Sequence, residues 1–355
     1  QKNMKILKLN SNRADIIKTV SNCLKNDGLV IYPTETVYGI GASAVSAKAI
    51  DKLLKYKGRR EGKPLSIAVT DQKMAEKYVE INEQALKFYK NFLPGPFTVI
   101  SKSKNQVDSR INSEFGTLGI RIPDYALIID IIKDFGQAIT STSANASGKK
   151  RPYKIQDVLD GLSEKQKSLI DLIIDAGELP KNEPSIVIDT TLSTPIALRG
   201  SLKNKEGEIL WSNNENETIE LAGRLLLNHL NDLQKSGLVI ALNGQLGMGK
   251  TIFAKGVAKF LGIQKTISSP TYSYINEYPY KRLATEGIFY HVDAWKIDSQ
   301  EELGFLKIEK LIKKNNVVVI EWFEQIAKWL KLDKKTSLLT LNFSEENNQR
   351  KILIK

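Results

Sequence analysis

The sequence predicts a protein of the α/β class with two successive domains, as its length of 355 residues also suggests. Short apolar, β-branched runs of strand length alternate with segments whose apolar residues recur at helical spacing. Two polar stretches, residues 203–207 and 212–217, interrupt this alternation, and a new helical pattern begins near Thr218. A glycine-rich octapeptide at 244–251 lies too late in the chain to be its first element. The predicted organisation is a first domain at 1–206, a linker at 207–216 and a second domain at 217–355.

The first domain is predicted to mix helices and strands. Residues 13–26 place Ile16, Val20 and Leu24 on one helical face, and Gly28 follows as a stop signal. Further amphipathic segments predict helices at 47–57, 83–92 and 125–135. Apolar and β-branched runs predict strands at 29–32, 65–69, 97–101, 118–122, 138–143, 185–189 and 196–199.

The second domain is predicted from a strand, a glycine loop and a helix in that order. Residues 237–243 form a short apolar run, and residues 250–261 carry apolar side chains at helical spacing before Gly262. The octapeptide between them matches the phosphate-binding pattern G-x-x-x-x-G-K-[ST]. Backbone N–H groups of such a loop surround the phosphates of ATP, the lysine reaches the β- and γ-phosphates, and the threonine hydroxyl binds Mg²⁺. The residues predicted to act in this way are Gly244, Gly247, Gly249, Lys250 and Thr251.

Two carboxylates near the ends of predicted strands are candidates for the metal site. Asp293 ends the run 288–293, and Glu321 lies in the run 317–322. Parallel strands of an α/β fold bind ligands at their carboxyl ends, and a phosphate-loop NTPase needs a carboxylate near Mg²⁺. Each could equally be a solvated strand-end carboxylate, so the pattern alone leaves both interpretations open. His291 lies two residues before Asp293, and we expect it to orient that side chain.

Composition restricts the classes of protein to consider. No apolar stretch reaches 18 residues, and residues 1–10 lack the apolar core of a signal peptide, so we expect a cytoplasmic location. The single cysteine, Cys23, excludes internal disulfides and is expected in the core, while His229 is expected at a helix surface. The net charge of +12 predicts an acidic partner such as RNA, or anionic nucleotides. Scattered lysines can also reflect composition alone.

Four spaced motifs make residues 215–355 resemble the small ATPase subunit of the bacterial tRNA threonylcarbamoyladenosine machinery. They are the octapeptide, Ser-Ser-Pro-Thr-Tyr at 268–272, Tyr-His-Val-Asp-Ala-Trp at 290–295 and Ile-Glu-Trp at 320–322. The resemblance implies slow, partner-dependent ATP hydrolysis. It places Lys250 and Thr251 at phosphate and Mg²⁺, Thr271 in a switch-like loop, Asp293 and Glu321 at the metal and water, and Trp322 beside the nucleotide. Gln245, Trp295 and Lys296 depart from the commoner residues, which bears on partner contacts.

Two polar segments of the first domain suggest a second anion site. Lys57, Arg59, Arg60 and Lys63 follow a predicted helix and are interrupted by two glycines. Residues 140–147 supply hydroxyl and amide groups suited to phosphate and ribose. Taken alone, the basic run is typical of a solvated face and the polar segment is typical of a turn.

Residues 8–205 resemble the threonylcarbamoyl-AMP synthase family, whose fold is a YrdC-like twisted mixed-sheet α/β domain. The matching motifs lie at 32–39, 57–59, 63–65, 94–98, 121–123, 141–145, 184–185 and 198–200. The family makes threonylcarbamoyl-adenylate and pyrophosphate from L-threonine, bicarbonate and ATP. The resemblance implies a catalytic set of Lys57, Arg59, Ser143 and Asn145, and substrate contacts by Thr34, Lys63, Arg121, Ser141, Ser185 and Arg199. Residues 124–126 stand where many members have His-Pro, which bears on the threonine side of the site.

Together the two resemblances predict a fusion of two steps in tRNA threonylcarbamoyladenosine formation, with ATP and Mg²⁺ as cofactors. Separate transferase subunits are the expected partners, and tRNA is expected to be contacted through their complex. A second interpretation is a double-stranded RNA-binding module joined to a regulatory NTPase switch. A third, a carbamoyltransferase of hydrogenase maturation, requires paired-cysteine zinc motifs that a chain with one cysteine lacks. A phosphate-loop kinase would need an acceptor-binding segment, and the motifs provide none.

Overall fold

The computed structural model describes residues 4–58, 65–145, 150–182, 185–192, 195–199, 208–270, 274–333 and 335–355, and only the backbone of 196–199. The chain forms two compact units. The first comprises Gln1–Thr191 and Pro195–Ser201, and the second comprises Leu192–Thr194 and Leu202–Lys355. Both contain helices and a sheet, so the predicted α/β class is confirmed.

A mixed sheet forms the centre of the first unit. Its described strands are β1 (Lys5–Lys8), β2 (Val30–Tyr32), β3 (Gly39–Gly41), β4 (Ser66–Ala68), β5 (Val79–Glu80), β6 (Phe97–Ser103), β7 (Thr117–Arg121), β8 (Ile139–Ser143), β9 (Leu172–Asp175), β10 (Ile186–Asp189) and β11 (Ile196–Arg199). Across the sheet they follow the order β1-β9-β2-β3-β8-β4-β7-β6-β10-β11, and β5 pairs with β6 beside this path. Strand β8 is antiparallel to both β3 and β4, whereas β4 is parallel to β7. This order brings β2, β3, β7 and β8 together although they are far apart in sequence.

Helices pack beside this sheet and contribute to its core. They are α1 (Arg13–Lys25), α2 (Ala47–Lys57), α3 (Gln72–Ala75), α4 (Glu83–Phe92), α5 (Ala126–Phe135), α6 (Ile155–Leu159) and α7 (Glu164–Lys167), with a 3₁₀ turn at Ser109–Ile111. Helix α2 begins at the Ser46 cap, whose hydroxyl accepts from the Ala49 N–H, and buries Ile50 and Leu53 on one face. Its last residue is Lys57, so burial of the apolar face fixes where this lysine leaves the helix.

The second unit has a seven-stranded sheet within the described residues. Its strands are β12 (Glu208–Ser212), β13 (Leu238–Asn243), β14 (Ile275–Arg282), β15 (Thr285–Asp293), β16 (Val317–Glu321), β17 (Ser337–Glu346) and β18 (Gln349–Ile354), in the order β12-β18-β17-β13-β16-β15-β14. Its helices are α8 (Glu215–Asn228), α9 (Leu230–Ser236), α10 (Lys250–Phe260), α11 (Gln300–Leu306) and α12 (Phe323–Ile326), with a 3₁₀ turn at Ile308–Lys310. Strand β13 is parallel to β16 and β17, and β15 is parallel to β16, so their carboxyl ends share one edge.

Most predicted elements are present, with differences at their ends. The helices predicted at 47–57 and 83–92 have these bounds, and Gly262 follows α10 with a φ of 81°. Residues 208–212, assigned above to the linker, instead form β12, which pairs with β18 at the far end of the chain. The polar residues on both sides of this short strand hid it from the sequence pattern. Every helix within the described ranges is too short or too polar to cross a bilayer.

Candidate functional sites

Lys57 in the first unit lies against the polar segment that follows β8. Its Nζ donates to the carbonyl oxygens of Ser143 at 2.9 Å and Asn145 at 2.8 Å. The neighbouring Tyr56 donates its hydroxyl proton to the Ala144 carbonyl, so α2 contacts three consecutive residues of this segment. Burial lowers the pKa of the Lys57 ammonium to about 8, because removal from water disfavours the charged form. The structure therefore places the Lys57 ammonium against the main chain of Ser143 and Asn145; a catalytic role for the three residues stays a prediction.

Strand pairing places the rest of β8 beside two other elements of the predicted site. Ser143 pairs with Gly39 of β3, and Ser141 pairs with Ser66 of β4. Ser141 is buried. The Tyr32 phenol donates to the carbonyl of the neighbouring Thr140 at 3.3 Å, and its pKa is raised mainly by burial. The predicted Arg59 and Lys63 lie outside the described residues, as does the side chain of Arg199.

A buried network at the end of β7 joins two more of the predicted residues. Arg121 forms an ion pair with Glu35, and its Nη2 donates to Thr36 Oγ1 at 3.0 Å. Thr36 Oγ1 is 3.0 Å from Thr34 Oγ1, which donates to the Val37 carbonyl at 2.7 Å. Within the described ranges, Glu35 Oε2 and Arg121 Nε are buried without a hydrogen-bond partner. The pair thus keeps an unused acceptor and an unused donor for a ligand.

Sequence reasoning gave no role to Glu35 or Thr36, although both lie in the motif at 32–39. Their partner Arg121 is about 85 residues away, at the end of a strand that does not neighbour β2 in the sheet. Nothing local in the sequence marks this contact. Ser185, also predicted to contact substrate, is buried immediately before β10.

The phosphate loop of the second unit (residues 244–251) lies between β13 and α10, as predicted. Lys250 Nζ donates to the carbonyl oxygens of Gly244 at 2.6 Å and Gln245 at 2.8 Å. It also lies 3.9 Å from the centroid of the Trp322 ring, a cation–π distance. Burial lowers the pKa of the Lys250 ammonium, although the negative charges of Glu321, Glu324 and Asp293 act in the opposite direction.

Oxygen ligands suited to Mg²⁺ lie beside this loop. Thr251 Oγ1 donates to Glu321 Oε2 at 3.1 Å and is 3.1 Å from Ser269 Oγ. Asp293 ends β15 opposite Glu321 in the sheet register, and burial raises the pKa of its carboxyl group. Hydroxyl and carboxylate oxygens on this edge match the preference of Mg²⁺, which usually binds through one or two carboxylates and substrate phosphates. Thr271 lies outside the described residues.

The expected role of His291 needs a correction. Its Nε2 is 2.8 Å from Glu321 Oε1, so the ring contacts Glu321 rather than orienting Asp293. The reason is the sheet: His291 pairs in register with Val319, two residues before Glu321, and is fully buried beside that strand. His291, Glu321 and Thr251 therefore form a continuous chain of contacts that ends at the phosphate loop.

The remaining candidates are Cys23 and His229. Cys23 is only partly buried, at the edge of the first core rather than inside it, because it lies beside the buried face of α1. His229 caps α8, with its Nδ1 3.2 Å from Asp232 Oδ2. In the part of the chain that the structure describes, no three His, Cys, Asp or Glu side chains cluster as metal ligands would.

Comparison with known proteins agrees with the two resemblances. The Sua5/YciO/YrdC family model, described as telomere recombination, matches residues 22–201. The model of the threonylcarbamoyl adenosine biosynthesis protein TsaE matches residues 212–352.

Two curated relatives cover the first unit. A putative threonylcarbamoyl-AMP synthase of Methanocaldococcus jannaschii is 35% identical over 199 residues, which are 55% of this chain and 91% of the relative. The threonylcarbamoyl-AMP synthase of Pyrococcus abyssi is 34% identical over 194 residues, or 54% of this chain and 56% of that relative. The match thus spans little more than half of the Pyrococcus protein.

A solved structure extends the likeness to the fold. The crystal structure of P. abyssi Sua5 complexed with L-threonine has a TM-score of 0.52 and 21% identity, over 90% of this chain and 92% of that chain. At this identity the comparison concerns the fold alone. The family match and the Methanocaldococcus relative go further: the chain belongs to the Sua5/YciO/YrdC family and carries a TsaE domain, a phosphate-loop NTPase fold, in its second half.

Proposed function

We propose that this protein is bifunctional in the biosynthesis of threonylcarbamoyladenosine at position 37 of tRNA. The first domain forms L-threonylcarbamoyl-AMP and pyrophosphate from L-threonine, bicarbonate and ATP. The second is a Mg²⁺-dependent ATPase that supports transfer of the threonylcarbamoyl group to tRNA. The names of the relatives support the first activity, and the TsaE match supports the second. The observation that carries the proposal is the contact of Lys57 with the segment 143–145, beside strands that carry the other predicted site residues.

The reaction assigned to the first domain needs charge stabilisation rather than a protein nucleophile. The unprotonated amine of threonine first forms an N–C bond with CO₂ derived from bicarbonate and loses a proton, which gives a carbamate. A carbamate oxygen then attacks the α-phosphorus of ATP, forming a P–O bond, while the bond from the α-phosphorus to the bridging oxygen breaks. Pyrophosphate leaves with the electron pair of that bond. Negative charge grows on the phosphoryl and leaving oxygens, so fixed cations and N–H or O–H donors supply most of the catalysis. Lys57, Arg59, Ser143 and Asn145 are the proposed set.

Threonine is assigned to the end of β7, where Thr34, Arg121 and Ser185 would contact it. Arg121 is already charge-paired with Glu35, and both side chains keep a buried, unsatisfied atom. Threonine offers its carboxylate to the guanidinium and an N–H of its amino group to the glutamate, which would satisfy both atoms. Lys63, Ser141 and Arg199 are assigned to the adenylate and phosphate side of the substrate.

In the second domain, Lys250 and the loop amides are proposed to hold the β- and γ-phosphates, with Trp322 beside the nucleotide. Thr251, Asp293 and Glu321 would hold Mg²⁺, which supplies neutralisation of phosphate charge when bound. Glu321 is also proposed to orient the attacking water, and His291 to hold the Glu321 carboxylate in place. When the nucleotide binds, the Lys250 ammonium would leave the Gly244 and Gln245 carbonyl oxygens and contact phosphate oxygens instead.

Joining both activities in one chain would raise the effective concentration of the labile adenylate near the transferase subunits that consume it. Those subunits are the proposed partners, tRNA is reached through their complex, and the cytoplasm is the proposed location. Splitting the chain between the units should then lower tRNA modification at low protein concentration.

The decisive test compares Lys57→Ala with Lys250→Ala in the full chain. Pyrophosphate release that depends on threonine and bicarbonate should fall about 100-fold or more in Lys57→Ala, because a cation at the reacting phosphate is removed. Lys250→Ala should keep that release and lose ATP hydrolysis assayed with the transferase subunits. Loss of synthesis in Lys250→Ala would contradict independent sites. RNA binding without threonine-dependent pyrophosphate in the wild type would favour the double-stranded RNA-binding module instead.

A further inference from the structure

Arg350, the second residue of β18, contacts the phosphate loop from outside the motif. Its Nε donates to the Met248 carbonyl oxygen at 2.6 Å, and its Nη1 donates to the Thr218 hydroxyl. Thr218 is fully buried on α8, and its hydroxyl is 2.7 Å from Ser212 Oγ of β12. Ser212 also pairs with Arg350 in the sheet. The guanidinium is therefore held by elements on both sides and is fixed against the loop.

The contact of Arg350 with Met248 determines the direction of a loop amide. The Met248 carbonyl and the Gly249 N–H belong to one peptide unit, which is planar and trans, so the two groups point in opposite directions. Arg350 holds the carbonyl toward β18. The Gly249 N–H must then point away from β18. Gly249 is the N-cap of α10, so its N–H lies among the amides at a helix start, which favour an anion.

The absence of a side chain at Gly249 leaves room for the Arg350 guanidinium. Gly249 has a φ of 95°, in the left-handed region, and a Cβ there would lie 2.3 Å from Arg350 Nε and 2.4 Å from Arg350 Cζ. The guanidinium therefore packs directly on the Gly249 backbone. Gly249, the third glycine of the loop, is therefore needed for the close approach of Arg350 as well as for the turn.

We propose that Arg350 is a positioning residue for phosphate binding, which fixes the 248–249 peptide so that the Gly249 amide is offered to the β-phosphate of a nucleoside di- or triphosphate. This proposal rests on the nucleotide-binding function proposed above for the second domain. Lys250 would contact the phosphates, whereas Arg350 acts on them only through the loop. Its place on the last strand explains why the octapeptide pattern does not include it.

A purely structural role for Arg350 predicts a different result from a positioning role. Strand β18 is already held by main-chain pairing along its length, to β17 on one side and β12 on the other. Loss of one side chain should therefore leave the sheet folded. Lys351 offers a matched control, because it has the same charge on the next residue, points to the other face, and contacts Glu346 and the Trp211 ring.

The experiment measures ADP binding by calorimetry in the full chain for the wild type, Arg350→Met and Lys351→Met. We expect Arg350→Met to bind ADP about 10-fold or more weakly, since a charge-assisted hydrogen bond that orders the loop is lost. Lys351→Met should bind as the wild type does. In ¹⁵N-glycine-labelled protein, the Gly249 amide should show a large ADP-induced shift in the wild type and a much smaller one in Arg350→Met.

Wild-type ADP affinity and a normal Gly249 shift in Arg350→Met would overturn the proposal. If that variant does not fold, Thr218→Val removes the second anchor while keeping the side-chain shape, and the same weakening, several-fold, is expected. Unchanged affinity in folded Thr218→Val would then overturn it. Failure of the wild type to bind ADP would instead contradict the proposed ATPase domain, and the two failures are thereby distinguished.

Discussion

Two lysines occupy equivalent chemical positions in two sites that are built differently. Lys57 and Lys250 each donate to two main-chain carbonyl oxygens, and burial lowers the pKa of both. The carbonyls that Lys57 contacts are 86 and 88 residues away, whereas those of Lys250 are six and five residues away. The contacts of Lys57 are therefore assembled by sheet topology, whereas those of Lys250 lie within one continuous loop.

This difference determines what else each site depends on. In the first unit, the charged side chains come from α2 and β7 and the polar segment from β8, so their alignment requires the whole sheet order. In the second, the loop is continuous in sequence, and residues distant along the chain contact it from outside: Arg350 at the Met248 carbonyl and Glu321 at the Thr251 hydroxyl. The first site should respond to changes in side-chain charge, and the second to changes in loop support.

The largest expected effect comes from replacing Glu321, a residue distant in sequence that contacts the phosphate loop. Glu321→Gln keeps the size of the side chain but replaces the charged carboxylate, which accepts a hydrogen bond from the Thr251 hydroxyl, with a neutral amide. ATP hydrolysis with the proposed transferase subunits should fall by about 100- to 1,000-fold, because the carboxylate proposed to orient water and to hold Mg²⁺ is replaced. ADP affinity without Mg²⁺ should change little. Hydrolysis near the wild-type rate would contradict the assignment of Glu321, and loss of threonylcarbamoyl-AMP synthesis would contradict separate sites.

A pH profile tests the dependence of the first site on charge. The pKa of Lys57 is about 8 in the folded protein, against 10.5 for an ordinary lysine, so the ammonium form is lost above pH 8. The kcat/KM for synthesis should fall about tenfold per pH unit above that value. Between about pH 8 and 10.5 the unfolded chain binds more protons at this lysine, so its contribution to stability rises with pH, and titration of Lys57 does not itself promote unfolding.

Lys57→Arg provides the control for that profile. Arginine stays charged at all these pH values, so the decline near pH 8 should disappear even if the maximal rate is lower. A profile that keeps the same decline in Lys57→Arg would assign it to another group. The comparison with Lys250 predicts no such change in synthesis, because that lysine belongs to the other site.

The two sites also differ in how far they could be predicted from the sequence, because one is local in sequence and the other is not. The phosphate loop was recognised from eight consecutive residues, because the chemistry there needs a fixed local spacing. Lys57 and the segment 143–145 were joined through a family resemblance, since no local pattern connects residues 86 apart. The fold class followed from periodicity, which reports burial along each element.

Contacts that depend on strand order could not be predicted from the sequence. The pairing of Glu35 with Arg121 requires the placement of β7, and the contact of His291 with Glu321 requires the register of β15 and β16. The sequence pattern assigns β12 to the linker, because polar residues flank this short strand and its pairing partner lies about 140 residues later. The register of a strand and the strands beside which it lies are set by packing of the whole sheet. Residues from all along the chain contribute to that packing.

The smallest expected effect sharpens the threonine side of the first site. Thr36→Val preserves shape but removes the hydroxyl that accepts from Arg121 and contacts Thr34. We expect the KM for threonine to rise several-fold and the free energy of unfolding to fall by about 1–2 kcal/mol, because buried polar partners lose a hydrogen bond. Thr36→Ser keeps the hydroxyl and should restore the KM. Since ATP is assigned to other residues, its KM should stay within about twofold; an equal rise for both substrates would mean that the network shapes the whole site rather than the amino-acid end.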